Sequence, residues 1–283
     1  MKKKFVSACL SLVLLLSSFG SVVHASEKKV EDETTVNFTS DIIVESVKIG
    51  SVEVTTVSSA IETKDGSQTT INQTKDYTIY PEYIAEYGSV FTDSFDQSEI
   101  IFSNNNQDVY IDGIKEDVSA FDENVAIAPQ NVAPANNYML RSTGGSDRGG
   151  ISSICHYYST TARTSYAFGC YESMNYNWVG KGWGSGEPTG KNISKIGILN
   201  TNSDFQTARN DVIRFESDYN SYQTTLATVI LAVVGEAVIL PWFGPGGLVA
   251  LGILSASETA LVVYQFSEAE KALKRAYSSI TFL

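Results

Sequence analysis

Between residues 36 and 118 apolar and polar side chains alternate. Val44, Val47, Ile49, Val52, Val54 and Val57 are interleaved with Ser, Thr, Glu and Lys, the period-two pattern of strands with one buried face in an antiparallel sheet. Lys64-Asp65-Gly66-Ser67 supplies a hairpin turn, with Thr69 to Thr74 as the returning strand. A second hairpin is expected where Glu99 to Phe102 meets Val109 to Ile114 across Asn104-Asn105-Asn106. These elements predict a small β-rich domain within residues 26–118.

From residue 119 to 150 the alternation dissolves. Pro129, Pro134, Asn clusters and Gly144-Gly145-Ser146-Asp147-Arg148-Gly149-Gly150 read as a linker open to proteases. Residues 151–200 follow as an aromatic, glycine-rich segment carrying Tyr157, Tyr158, Tyr166, Phe168, Tyr171, Tyr176, Trp178 and Trp183. Short strands are expected there, with most rings filling a small core; exposed Tyr and Trp would instead suit a sugar or membrane boundary.

After Ser203 the period becomes helical. Phe205, Ala208, Val212, Phe215, Tyr219, Tyr222, Leu226, Val229 and Val233 recur at steps of three and four, predicting one helix from about Asp204 to Leu240, where Pro241 stops it. A return helix is expected after Gly246-Gly247, running through Phe266 with Ala269, Leu273, Ala276 and Ile280 as its apolar stripe. At 1.5 Å per residue, ~35 residues give an antiparallel hairpin of ~50 Å. Its tip is formed by two apolar stretches, Leu226 to Phe243 and Gly246 to Phe266, each near the ~20 residues that span a bilayer. Leu231, Ile239, Trp242, Phe243, Leu248, Leu251, Ile253 and Leu254 are the residues expected to enter lipid. Glu236 and Glu258, the one charge in each stretch, are the intramembrane charge candidates, because a charge at mid-bilayer must face a partner or a pore, or take up a proton. A solvent-facing position on a surface hairpin is the alternative for both.

Compartment and charge sharpen this picture. Lys2, Lys3 and Lys4, an apolar run from Phe5 to Leu16 and the small-residue site Val23-His24-Ala25 predict a secretory signal peptide, residues 1–25, cleaved after Ala25. Cys155 and Cys170 then remain in the mature chain, and in an oxidising exterior an isolated pair is expected to form a disulfide. From Ser26 to Leu140 there are 21 acidic and 6 basic residues, net −15, whereas Arg141 to Leu283 has 11 of each. That asymmetry suggests two modules, with Arg141 and Arg148 as processing candidates at their boundary; an ordinary linker is the other reading. No basic patch appears, which argues against nucleic acid as a partner.

Catalytic signals are sparse. His156 is the one histidine left after signal cleavage, and Cys155 beside it would point to the opposite face of a strand. No nucleophile elbow, zinc-protease motif, phosphate loop or dinucleotide fingerprint occurs, so neither an enzyme nor a cofactor or metal is expected.

The signal segment, the aromatic region with Cys155 and Cys170, and the hairpin ending in Val238-Ile239-Leu240-Pro241-Trp242-Phe243-Gly244-Pro245-Gly246-Gly247 together resemble the large, unmodified secreted bacteriocins of bacilli, the geobacillin type. The hairpin alone is similar in layout to that of pore-forming colicins, although the acidic β-rich segment matches nothing in them. The expected protein is α+β: an antiparallel β-rich domain, a disulfide-linked aromatic β segment over 151–200, and a long helical hairpin with an apolar tip over 201–283. Its expected action is antibacterial permeabilisation of membranes, with bacterial membrane lipid as partner and self-oligomers forming on the membrane. A cell-surface or immunity-type protein anchored by the same hairpin, and a soluble interaction protein with the hairpin buried, remain as alternatives.

Overall fold

Alternation of side chains builds the first sheet. In the computed structural model, β1 (Asp32–Val44), β2 (Val47–Thr63), β3 (Gly66–Ile79), β4 (Ser94–Ser103), β5 (Asp108–Ile111) and β6 (Ile114–Glu116) form an antiparallel meander in chain order. The structure describes residues 32–103, 108–116, 148–151, 154–159, 162–174, 176–177, 187–188, 191–234 and 254–283. Every second residue of β2, from Val52 to Ala60, is buried. The expected turn at Lys64-Asp65 joins β2 to β3, and the return strand extends well beyond Thr74, to Ile79.

Two turns depart from the expectation. Glu45 and Ser46 link β1 to β2 with φ of 51° and 67°, the left-handed pair that a two-residue hairpin requires. Sequence gave no Asn-Gly or Asp-Gly signal there, so Val44 and Val47 read as one strand. The second departure is at Asp112-Gly113, whose φ of 51° and 78° close a hairpin between β5 and β6. The strand expected to run from Val109 to Ile114 therefore ends at Ile111, and Ile114 opens β6. A short 3-10 turn (Pro81–Tyr83) and α1 (Ile84–Tyr87) interrupt the path from β3 to β4.

The second sheet comprises β7 (Arg148–Ile151), β8 (Cys155–Ser159), β9 (Ser165–Tyr171) and β12 (Asn192–Leu199), in the order β12-β9-β8-β7. A two-residue ladder, β10 (Tyr176–Asn177) with β11 (Glu187–Pro188), lies between β9 and β12 in the chain. Cys155 and Cys170 are directly paired across β8 and β9 and form the expected disulfide. Tyr157, Tyr166 and Phe168 are buried, and Phe205 stacks on Tyr166 with ring centroids 4.4 Å apart. The linker expected over 119–150 stops short of its last three residues: Arg148, Gly149 and Gly150 pair with Tyr158, Tyr157 and His156.

Two helices complete the fold, α2 (Phe205–Val234) and α3 (Ala256–Thr281). Ser279 hydrogen-bonds to Asp211, and Tyr222 packs edge-on against Phe266 at 5.5 Å, so the helices run antiparallel. Both helices contact both sheets. One buried cluster draws on Val36, Val54, Tyr157, Phe168, Phe215 and Leu273, and so crosses every segment boundary drawn from charge and composition. Residues from Glu31 onward accordingly make one unit rather than an acidic module and a neutral one.

Candidate functional site

The second apolar stretch is where sequence and structure meet most directly. Its return helix does not start after Gly246-Gly247 but at Ala256, because Ser255 caps it. Ser255 Oγ accepts from the Glu258 amide at 3.3 Å, while the Glu258 carboxylate accepts from the Ser255 amide at 2.8 Å. This reciprocal capping box satisfies two backbone donors and places a carboxylate at the positive end of the helix dipole. Glu258 is half-buried, and its carboxylate serves here to start α3. Leu254, just before the cap, packs against the core.

Beyond the cap α3 is enclosed. Ala260, Leu261, Val262, Val263, Tyr264 and Gln265 are consecutive and all buried. Successive helical residues turn by about 100°, so six in a row cover every direction around the axis. A helix buried on every side needs an extended surface to wrap it. Strands of 13, 17 and 14 residues in β1 to β3 supply the missing surface.

The strand face that meets α3 mixes polar and apolar side chains. Thr56, Ser58, Ser67, Thr69, Gln73, Lys75 and Ser98 are buried beside Ala60, Ile71, Ile100 and Phe102. Gln73 donates to Thr56 Oγ1 at 2.9 Å and Gln265 donates to the same oxygen at 3.4 Å. Four buried polar atoms, Thr69 Oγ1, Gln73 Oε1, Thr225 Oγ1 and Tyr264 OH, have no hydrogen-bond partner among the described residues. Each such group costs ~1–3 kcal/mol of desolvation that no bond returns. Burial, with the negative charge of Glu268 beside it, pushes the Tyr264 phenol far above its ordinary pKa. A wholly apolar seam would hold the helices more firmly.

Polar fastenings join the helices to both sheets. Lys75 on β3 donates to Asp218 on α2 at 2.8 Å. Burial lowers the affinity of the Lys75 ammonium for its proton, but the Asp218 carboxylate more than compensates, and its pKa is raised. Arg209 on α2 donates to Glu86 at 2.8 Å and to Glu45 at 3.1 Å, and Tyr157 donates to the same Glu45 oxygen at 3.1 Å. Burial again opposes the charge on Arg209, which Tyr157, Glu86 and Glu45 hold in place. Glu45 thereby gains strong contacts in a left-handed conformation that costs ~1–2 kcal/mol. On the other side, Glu216 accepts from the Gly150 amide at 2.7 Å and Glu270 from the Met174 amide at 2.9 Å.

At its first turn α3 is held by β1 and β2. The Asp32 carboxylate accepts from the Ser257 amide at 3.0 Å and from its hydroxyl at 2.6 Å. Thr34 Oγ1 lies 2.7 Å from Ser257 Oγ, and Ser58 donates to the Ser257 carbonyl at 2.7 Å. Every polar group of Ser257 is therefore engaged with the sheet. Sequence reasoning passed over these residues, since a strand that begins Asp-x-Thr and a Ser in an apolar stretch carry no signal until topology brings residues 32 and 257 together.

Among the predicted site residues, Cys155 and Cys170 are brought together, Glu258 and Leu254 are placed as above, and Arg148 lies in a paired strand. Ala25, Arg141, Glu236, Ile239, Trp242, Phe243, Leu248, Leu251 and Ile253 lie outside the described residues, as does the side chain of Leu231. Among the described residues no helix is long and apolar enough to cross a membrane. Comparisons with protein-family models, curated proteins and solved structures give no match for this chain.

Proposed function

We propose that this chain is a secreted, non-enzymatic antibacterial protein that permeabilises bacterial membranes through its helical hairpin, and that the two sheets carry the hairpin in a soluble, restrained form. One observation carries the reading: two antiparallel helices are joined through residues 235–253, a run with a single charge, Glu236, while α3 meets the strands across a seam that is polar in part. A polar seam favours parting, because water or headgroups replace its hydrogen bonds at little cost. Freed of the sheets, α3 would add Leu261, Val262, Val263 and Tyr264 to the apolar surface offered to lipid, each worth ~1.5–3 kcal/mol on burial. Oligomers on the membrane would give Glu236 a polar lining to face.

The burial of Ala260 to Tyr264 also favours the second reading, a soluble interaction protein whose hairpin never leaves the sheets. Vesicle leakage separates the two. Under the membrane reading the purified chain releases dye from anionic vesicles, and Ile239→Lys or Leu251→Lys, at ~3 kcal/mol of insertion cost, lowers partitioning by about two decades with little change in melting temperature. A chain that never releases dye, and whose lysine variants unfold instead, leaves only the soluble reading.

A further inference from the structure

The fastening at the start of α3 differs from the others in position. Asp32 and Thr34 lie on β1, which among the described residues is an edge strand paired only with β2. They grip Ser257, which is three residues before the enclosed run Ala260 to Tyr264. Ser58 of β2 also holds the Ser257 carbonyl and Gln265 bonds to Thr56 further along α3, while the fastenings at Arg209, Glu216, Asp218 and Glu270 act farther along the hairpin. The seam between α3 and the sheet can therefore open from the Ser257 end without first breaking the Arg209 network.

We propose that Asp32 and Thr34 of β1 form an autoinhibitory latch on Ser257, and that releasing it lets the first three turns of α3 lift from the sheet. This inference rests on the membrane reading for its consequence, and on the geometry at Ser257 for its mechanism. The contacts suit a latch. Asp32 accepts two bonds from one residue, at a helix N-terminus where its negative charge is favoured by the dipole. Beneath it the surface is part polar, with Thr56, Ser58, Thr69 and Gln73, two of which keep buried atoms unpaired, and part apolar, where Ala260, Val263 and Tyr264 cluster with Ile71, Ile100 and Phe102. Once Ser257 is free, this end is held by those apolar contacts, by Leu261 and Val262, and by the bond from Gln265 to Thr56.

Mild acid does not open the latch. Partial burial raises the Asp32 pKa, but the hydrogen bonds from Ser257 and Ser255 outweigh it, and the carboxyl sits below its usual range. The described charged residues next to this contact in the chain are Glu33, beside Asp32, whose carboxylate accepts from Ser59, and Glu258, beside Ser257, which is occupied by the capping box. A carboxyl with a lowered folded pKa keeps its contribution above the unfolded value of ~4 and loses it only as pH falls below that. The natural opener is therefore displacement of β1, the edge strand nearest the chain start, rather than a pH drop.

The test uses the full secreted chain in two forms. Asp32→Ala removes the acceptor, and the exchange of the Ser257, Glu258 and Thr259 amides should then quicken about tenfold, the loss typical of a removed helix cap, with the global unfolding midpoint nearly unchanged. Leakage of anionic vesicles should rise in parallel. The second variant, Thr34→Cys with Ser257→Cys, places two thiols where hydroxyls now touch, and its oxidised form should leak less than its reduced form. Wild type under the same reductant controls for the Cys155–Cys170 bridge. Unchanged amide exchange in Asp32→Ala overturns the latch, as does equal leakage from the oxidised and reduced double variant when wild type leaks. Faster exchange with no leakage from any form keeps the latch and removes the membrane reading instead.

Discussion

The buried pair of Lys75 and Asp218 gives the sharpest test of what holds the hairpin to the sheet. Its atoms are 2.8 Å apart, and the side chains are 9% and 15% exposed. At an effective dielectric near 20, the attraction at that distance is about 6 kcal/mol, while moving each ion out of water costs several. The two terms nearly cancel, so the pair is worth little against an apolar replacement but much against a broken one. Asp218→Leu leaves an ammonium stranded between helix and sheet, which costs about 3 kcal/mol, the lower end of the usual range because Glu268 also attracts it. Lys75→Met should cost a similar amount by stranding the carboxylate. Lys75→Met combined with Asp218→Leu removes both desolvation terms and should stay within about 1 kcal/mol of wild type. Equilibrium urea denaturation at pH 7 measures all four forms of the cycle. Single variants that each lose less than about 1 kcal/mol, with additive effects, would show that water reaches the pair and that the seam is not dry at this point. Since the folded pKa of Lys75 is raised, its stabilisation is complete below the unfolded value of ~10.4 and fades only at higher pH. Between pH 6 and 9 this pair should therefore add no pH dependence to the denaturation midpoints.

Three further outcomes are expected. Tyr264→Phe deletes a buried hydroxyl that bonds to nothing among the described residues, and should leave stability unchanged or raise it by about 1 kcal/mol in the same denaturation assay; a loss above that would reveal a partner for the hydroxyl. Gly150→Ala should destabilise by more than 2 kcal/mol, because Gly150 has φ +85° and a Cβ there meets the Cys155 carbonyl and, at 2.6 Å, Val212 Cγ1; a midpoint equal to wild type would contradict the close approach of β7 to α2. Cys155→Ala with Cys170→Ala opens a bridge between residues 15 apart and should cost about 3 kcal/mol, and in wild type neither thiol should alkylate without reductant.

Much of this fold is legible in the sequence because it depends on neighbours along the chain. The alternation from Val47 to Val57 fixes a strand, the three-and-four spacing from Phe205 to Val229 fixes a helix, and the two cysteines beyond the predicted signal segment select one another. Local chemistry also marks the Lys64-Asp65 turn, where Gly66 follows. Asp112-Gly113 carries the same kind of signal, although the run of apolar residues around it hid the turn.

Tertiary structure alone decided the rest. The turn at Glu45-Ser46 has no local preference for its conformation; Arg209 and Tyr157, over a hundred residues away, stabilise it. Hydropathy counts apolar residues without saying what covers them, so Gly246 to Phe266 looked like one lipid-sized stretch until Ser255 divided it and the long strands β1 to β3 enclosed its second part. The division between acidic and neutral halves vanished for a similar reason: charge is a property of surfaces, whereas the boundary of a folding unit is set by shared burial, and the buried cluster spans both halves. The Asp32–Ser257 contact joins residues 225 positions apart. No pattern of period two or 3.6 encodes such a pairing, which exists only because the meander and the helical pair pack face to face.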